Sequence, residues 1–364
     1  MPALIPKRSL LFIISISVIL SGCKQKPQQL TNEEAIAFAK SIESSIKKGD
    51  GDFLDHAFDK DAFIEKMKLP NTAEGKGFGK GIMEKMNLGN KITSALSDQD
   101  NFEFIKHYIK DGKHHVIFRL YNVKEGSLNY HDYELIKTHD KCRIADVYIY
   151  LSGETLAETM GNLFNTLYAN NSERGQKDLS GVEDLKEIRA LIQKGKNAEA
   201  NKLYETLPAY LKNSKSILLL NVIICSNLSN DEYNGAIKGF RKKFPNEPNM
   251  NLMMVDGYFL QKDYVKMLAA INALDSQINK DPLLDFYRYV SYDLLEDKPN
   301  ARLYLTRLVQ HMPDFQKGFQ ELIAVDLKNK NKAEADSLIV IYRKKTRFNQ
   351  QELTNIINYS ALLY

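Results

Sequence analysis

The chain of 364 residues contains no tryptophan. Flat sugar-binding surfaces rely on large aromatic rings, and tryptophan is the largest of these. Its absence argues against glycan binding, although 19 tyrosines and 17 phenylalanines leave other rings for that purpose. Glycan binding therefore stays a minor alternative.

The chain also lacks a large excess of charge of either sign. Fifty Lys and Arg residues stand against 46 Asp and Glu, so the formal net charge is +4. Nucleic-acid binding proteins concentrate basic residues in a patch or stripe. The sequence therefore predicts no nucleic-acid partner, and its 43% apolar and 26% charged content is typical of a soluble folded protein.

Apolar runs long enough to cross a membrane are absent. Residues 9–20 form an apolar run of about a dozen residues, whereas a bilayer span needs roughly 20. Residues 217–225 form another apolar run, but Asn221 interrupts it, so we expect a buried helix there.

Motifs of catalysis are also missing. The chain has neither the G-x-S-x-G elbow of serine hydrolases nor the H-E-x-x-H pair of zinc proteases. The glycine-rich run Gly75–Gly81 lacks the spacing of a P-loop and a preceding strand, so it is interpreted as a flexible helix entry. His114 and His115 are adjacent in a predicted strand and point to opposite faces, so they cannot share one metal ion. We predict no catalytic residue, no metal site and no cofactor, although a metal site built across neighbouring strands stays an alternative.

Only three cysteines occur in the chain. Cys142 and Cys225 lie among apolar residues in separate predicted domains, so small buried side chains are a better interpretation than a disulfide. Cys23 has a different setting, directly after the N-terminal apolar run.

The N-terminus has the order of a secretion signal. Lys7 and Arg8 precede the apolar run, and Leu20-Ser21-Gly22-Cys23 follows it. This order resembles the lipobox of bacterial lipoproteins, which implies cleavage after residue 22 and acylation of Cys23. An ordinary signal peptide and a transmembrane anchor are the alternatives. The resemblance implies a lipid-anchored protein of the cell envelope, and we favour the outer membrane facing the periplasm, with residues 23–30 as a polar tether.

Residues 31–168 are predicted to form an α+β domain. Thr31 and Glu34 have the spacing of a capping box, and a helical apolar pattern then continues to Gly49. Further helices are predicted over residues 52–67, 77–96 and 155–168. Alternation predicts strands over residues 102–110, 113–122, 128–138 and 142–151, with Asp111-Gly112 as a hairpin turn.

This element order resembles the cone-shaped NTF2-like and cystatin-like folds. Some NTF2-like proteins are enzymes with acids and tyrosines in the mouth of the cone, so the resemblance implies a possible pocket. Asp146, Tyr148 and Tyr150 share one face of the last strand, and we expect His131 and Tyr133 opposite them, a set suited to general acid–base chemistry. The alternative is a packed sheet face with satisfied hydroxyl groups.

Residues 180–364 contain an internal repeat. Small or medium residues recur at intervals of 31 to 36 positions, and residues four positions later and twelve positions earlier are apolar in every unit. The recurring positions are Ala200, Ala236, Met267, Ala301 and Ala335, then Tyr204, Phe240, Ile271, Leu305 and Ile339, then Ile188, Ile224, Val255, Tyr289 and Ile323. Such a period indicates stacked helix pairs that share one continuous core.

These columns resemble the tetratricopeptide repeat (TPR) pattern. The family resemblance implies a curved solenoid that binds peptides or proteins along an inner surface lined by the first helix of each pair. Asp256, Phe259 and Tyr287 are the residues predicted to lie in this groove. A purely structural spacer is the alternative for this half of the chain.

The sequence thus predicts an α+β domain followed by an all-α TPR-like solenoid. Our leading hypothesis is a non-enzymatic adaptor or assembly factor that is anchored through lipid on Cys23 and binds an envelope protein or peptide through the solenoid. A small-molecule-binding or hydrolytic role of the α+β domain, with a pocket at Asp146 or His131, is the rival. The adaptor hypothesis requires that the helix pairs stack side by side and leave an inner curve free. Helices folded into a compact bundle, or merged into one unit with the preceding sheet, would end the hypothesis.

Overall fold

A five-stranded antiparallel sheet lies between two groups of helices. The structure is a computed structural model that describes residues 29–97, 100–123, 126–168, 180–209, 211–245, 247–345 and 348–362. The first group of helices comprises α1 (Asn32–Lys47), α2 (Asp52–His56), α3 (Lys60–Lys66), α4 (Ala73–Glu84), α5 (Leu88–Ala95) and α6 (Leu156–Tyr168). The strands, which pair in chain order, are β1 (Asn101–Lys110), β2 (Lys113–Asn122), β3 (Ser127–Thr138), β4 (Lys141–Ile149) and the short β5 (Glu154–Thr155).

The second group of helices forms the C-terminal half of the chain. Its members are α7 (Ser180–Gln193), α8 (Asn197–Thr206), α9 (Lys215–Ser226), α10 (Asn230–Lys243), α11 (Met250–Leu260), α12 (Tyr264–Ile278), α13 (Leu284–Leu294), α14 (Lys298–His311), α15 (Gln316–Lys328), α16 (Lys332–Tyr342) and α17 (Gln350–Leu362). Consecutive helices pack as pairs, from α7 with α8 to α15 with α16. The predicted fold class, an α+β region followed by a helical solenoid, is confirmed. No helix within the described ranges has the length and apolar character that a membrane crossing requires.

Tight turns set the register of the sheet. Asp111 and Gly112 both have positive φ values, 51° and 74°, as the predicted hairpin turn requires. His139 and Asp140 form the turn between β3 and β4 with φ values of 50° and 58°. Short turns of this kind fix the pairing of the residues beside them, and the register then shifts once in each hairpin, between Phe104 and Lys106 and between Glu134 and Leu135.

The second predicted helix is interrupted. Instead of one helix over residues 52–67, α2 and α3 flank a short extended segment at Phe58, which bridges to Ile144 on β4. Asp59 N donates to Ile144 O at 2.8 Å, and Ile144 N donates to Ala57 O at 2.9 Å. These bonds use backbone groups that a continuous helix would need, so tertiary pairing overrides the helical pattern.

The repeating columns of the C-terminal half lie at equivalent places in five helix pairs. The five positions that include Ala200 all lie on the second helix of a pair, and the five that include Ile224 lie on the first. Of these fifteen side chains, all but Ala236 are buried. The periodic pattern therefore arises because each pair must bury the same positions against its neighbours.

Both faces of the sheet are covered. One face carries Val116, Phe118 and Tyr133, which belong to a core shared with α1 to α6. The other face carries Ile117 and Tyr130, which belong to a core shared with α9 to α15. The helical repeats therefore do not stand apart from the sheet, contrary to the assumption that they stack independently.

The sheet contacts the helices at positions that recur with the repeat. Lys215, Asn249, Asp281 and Phe315 lie at or just before the starts of α9, α11, α13 and α15, 32 to 34 residues apart. Lys215 Nζ donates to Gly153 O at 2.9 Å. One edge of the solenoid thus provides a regular row of contacts for the sheet.

A buried arginine lies at the centre of this interface. Arg119 on β2 is 0% exposed and donates hydrogen bonds to Asp281 and Glu103, and at 2.8 Å to Asn101 Oδ1. Tyr130 Oη donates to the second oxygen of Asp281 at 2.7 Å. Burial opposes the charge, but the attraction of Asp281 and Glu103 outweighs it, so the pKa of Arg119 is raised.

Candidate functional site

A cleft opens where the end of the sheet meets the helical repeats. Its volume is about 460 Å³, within the range of ligand-binding cavities. The first helices of three successive pairs, α9, α11 and α13, form most of its wall, and the start of β3 with Leu151 closes one side. The cleft therefore exists only because the sheet and the repeats share an interface.

Large apolar side chains at the cleft remain accessible to water. Leu151, Ile223 and Phe259 line the cleft and are 48%, 47% and 44% exposed. Exposed apolar side chains scattered over a surface are ordinary, but a group of them around a cavity is typical of binding sites. These three side chains define the rim of the cleft.

Asp256 on α11 is the single acidic side chain among the described residues that line the cleft. Asp256 is exposed to solvent at the cleft, and desolvation by the neighbouring protein atoms raises its pKa to about 6. Among the described residues, none donates a hydrogen bond to its carboxylate or forms an ion pair with it. Water solvates this carboxylate in the unliganded protein, so a ligand that covers it must supply a donor or a cation in place of that water.

Two tyrosines flank this carboxylate. Tyr233 on α10 and Tyr287 on α13 line the same cleft, and burial together with the charge of Asp256 raises the pKa of each. Tyr287 Oη donates to Gly126 O at 3.1 Å, which ties α13 to the turn before β3. Both phenols therefore stay neutral around pH 7 and leave Asp256 as the charged group of the cleft.

The three residues predicted for the groove come together at this cleft. Asp256, Phe259 and Tyr287 all line it, although Asp256 and Tyr287 come from different helix pairs. Cys23, the predicted acylation site, lies outside the described residues.

The residues considered for acid–base chemistry are separated. The register pairs His131 with Ile149 and Glu134 with Asp146, so His131 and Asp146 lie on opposite faces of the sheet. Each is 4% exposed. Asp146 Oδ1 accepts from the backbone N–H groups of Val147 and Ala157 at 2.8 and 3.1 Å, and burial lowers the pKa of His131 to about 4.

The other candidates for chemistry have structural partners. His114 Nδ1 lies 2.9 Å from His107 Nε2, whereas His115 Nδ1 lies 3.1 Å from Asp132 Oδ1, so the adjacent histidines turn to different neighbours. Burial raises the pKa of the Cys142 thiol to about 12, which keeps it protonated. Within the described ranges, no group of three side chains suited to a metal ion occurs.

Glycines of the run at residues 75–81 lie within α4 rather than in a loop. Thr72 caps this helix by accepting a hydrogen bond from Gly75 N at 3.2 Å. The predicted flexible entry is therefore a regular helix, since Thr72 satisfies one of the unpaired N–H groups of its first turn.

Sequence reasoning missed the contribution of the sheet to this site. One signal was present: Val116, Ile117 and Phe118 are consecutive apolar residues in β2, which is typical of a strand buried on both faces. Interpreted in that way, the strand predicts a second layer over the sheet. It does not say which helices supply that layer.

Comparison with known proteins leaves the site to be interpreted from its own geometry. No family model matches the chain, and no curated protein or solved structure matches it significantly.

Proposed function

We propose that this chain is a non-enzymatic adaptor of the cell envelope that binds part of a partner protein at the cleft between the sheet and the helical repeats. The observation that carries the proposal is the rim of three exposed apolar side chains around an unpaired carboxylate. Exposed apolar groups cost free energy in water, and a partner that covers them recovers that free energy.

The architecture supports a binding role. The columns of α7 to α16 resemble TPR repeats, whose first helices line the binding surface in that family, and α9, α11 and α13 are first helices here. The sheet region with its helices resembles the NTF2-like and cystatin-like folds in element order. The sheet packs against the repeats, so their inner curve is not free along its whole length. In this proposal the partner therefore binds only at the cleft.

Anchoring of the chain through lipid on Cys23 completes the proposal. The lipobox-like order at residues 20–23 supports acylation, and we place the protein at the outer membrane facing the periplasm. Replacement of Cys23 by Ala is expected to abolish incorporation of an alkyne-labelled fatty acid and to release the chain from membranes. Unchanged labelling of the variant would contradict this anchor.

A catalytic or small-molecule role of the α+β region has less support. Asp146 and His131 are buried on opposite faces of the sheet, so no pocket brings the two together.

The adaptor function is tested by capture with a matched pair of variants. A soluble form of the mature chain that starts at Leu30, without the lipid anchor, is expected to recover the same envelope protein repeatedly after cross-linking. Phe259→Asp places a charge on the rim and is expected to reduce this recovery at least tenfold, while Val265→Asp should leave it unchanged. Val265 is 66% exposed on α12 and does not line the cleft. Equal recovery by both variants, or no specific recovery by the mature chain, would contradict the proposal.

A further inference from the structure

The unpaired carboxylate of the cleft limits what can bind there. A wholly apolar ligand would cover Asp256 without giving it a donor, and the carboxylate would lose its remaining water. An anionic ligand would be repelled. A ligand that carries a cation offsets both costs, because the charge attraction strengthens as water leaves the cleft.

The apolar wall sets the second requirement. Leu219, Val222 and Leu252 line the cleft together with the rim residues Ile223 and Phe259. The ligand must therefore present apolar groups on both sides of its cation. Because the wall comes from three successive helix pairs, a short stretch of chain fits it better than a single side chain.

We propose that the cleft binds a segment of a partner protein in which one lysine or arginine is flanked by large apolar side chains, with the cation paired to Asp256. This inference rests on the proposed adaptor function and names the chemistry of the partner. Charge complementarity decides between possible occupants, since the described residues that line the cleft include one carboxylate and no basic side chain.

Binding of such a segment is expected to depend on pH. Tyr233 of α10 and Tyr287 of α13 are the other titratable groups of the cleft wall, and both are neutral below pH 8 because their pKa values are raised. The pKa of Asp256 is raised to about 6, so a proton competes with the cation below that pH. Affinity should therefore be constant above pH 7 and fall about tenfold by pH 5.

The test uses short peptides and one introduced fluorophore. The chain has no tryptophan, so Ile223→Trp provides a single reporter at the rim of the cleft. The peptides are an array of hexapeptides with a central Lys, Arg, Gln or Glu between residues drawn from Leu, Ile, Val and Phe. Cationic members are expected to bind at least tenfold more tightly than their Gln counterparts, and Glu members more weakly still.

Variants in the same background identify the group responsible. Asp256→Asn keeps the size of the side chain and should abolish both the preference for Lys over Gln and the loss of affinity at pH 5. Phe259→Asp should weaken binding of the Gln and Glu peptides, because it removes an apolar contact and offers them no opposite charge, and Val265→Asp should change nothing. Circular dichroism of each variant confirms that it is folded.

Each other outcome overturns the inference in a distinguishable way. If Gln peptides bind as tightly as Lys peptides while Phe259→Asp still abolishes capture of the envelope partner, the charge pairing is wrong and the adaptor function stands. If octylamine binds with the same dependence on Asp256 and no peptide does, the cleft is a site for small amphiphilic amines. If neither peptides nor an envelope protein bind, the adaptor function itself fails.

Discussion

Two charged residues of this protein, buried Arg119 and exposed Asp256, have opposite surroundings. Arg119 is surrounded by acceptors from the sheet and from the loop before α13, whereas Asp256 has no donor within the described residues. A buried ion with several partners stabilises a particular arrangement of elements, and removing one partner leaves the other uncompensated. An exposed carboxylate without a protein partner loses its water when a ligand covers it, so a ligand that supplies a cation is favoured. Arg119 therefore belongs to the architecture and Asp256 to the proposed binding site.

Loss of the Arg119 guanidinium is expected to destabilise the whole protein. Arg119→Met keeps much of the apolar stem but leaves the buried carboxylate of Asp281 without its cation, at a cost of about 3–5 kcal/mol in the free energy of unfolding. Urea unfolding followed by circular dichroism measures this change. Lys196→Ala removes an exposed ion pair with Glu199 and should cost less than about 0.5 kcal/mol. Equal effects of the two substitutions would show that Arg119 has no special part in joining the sheet to the repeats.

At the scale of elements, close approach of backbones determines how the first helices pack. Gly161 on α6 has no room for a side chain, because a Cβ atom there would lie 2.3 Å from the carbonyl oxygen of Met67 at the end of α3. Gly77 on α4 has open space around the same position. Both glycines lie within helices, so helix propensity by itself predicts the same effect of an alanine substitution at either position. Only the packing of α6 against α3 distinguishes them.

Alanine at these two glycines is expected to change stability in opposite directions. Gly161→Ala must push α6 away from the backbone of α3 and should lower the free energy of unfolding by about 1–3 kcal/mol. Gly77→Ala meets nothing and should raise it by about 0.5–1 kcal/mol, since alanine reduces the entropy of the unfolded chain. Thermal and urea unfolding of both variants give the comparison. A stabilising Gly161→Ala would mean that α6 and α3 lie farther apart than described.

The sequence was most informative about the individual secondary-structure elements. The strand alternation around Asp111-Gly112 and the repeat columns through Ala301 and Ala335 predicted the hairpin, the sheet and the helix pairs, because each depends on residues close in sequence. The break at Phe58 could not be predicted, since it depends on pairing with Ile144. For the site, Asp256, Phe259 and Tyr287 were predicted as groove residues, and the structure places all three at one cleft. The sheet wall at Leu128 and Leu151 was not predicted.

Over the whole molecule, the sheet is the shared element. Its two faces belong to two cores, one with the N-terminal helices and one with the repeats. An α+β region without the repeats would expose the apolar face that carries Ile117, Tyr121 and Tyr130. Deletion of residues 180–364 therefore removes more than a partner surface, and point substitutions such as Phe259→Asp test the adaptor function more cleanly.

The α+β region is expected to fail as an isolated fragment. Residues 30–168 alone should bind the dye ANS and unfold without a cooperative transition, because the uncovered sheet face and the loss of Asp281 as a partner of Arg119 destabilise it. The mature chain starting at Leu30 should unfold cooperatively and bind little dye under the same conditions. Cooperative unfolding of the fragment, with well-dispersed amide resonances, would show that the contacts of the sheet with the repeats are dispensable.

Local patterns were sufficient to determine the helix pairs, the strands and their turns, because periodicity and turn chemistry act over a few residues. Tertiary structure alone decided that the sheet and the turn at Gly153 dock on the row of positions at the starts of α9, α11, α13 and α15. The hydrogen bond of Arg119 to Asp281 joins residues 162 positions apart, and nothing in the neighbourhood of either residue names the other. The cleft depends on the same docking of the sheet on the repeats. Its wall combines the end of the sheet with three helices, and these parts, distant in sequence, come together because their surfaces pack in a complementary way.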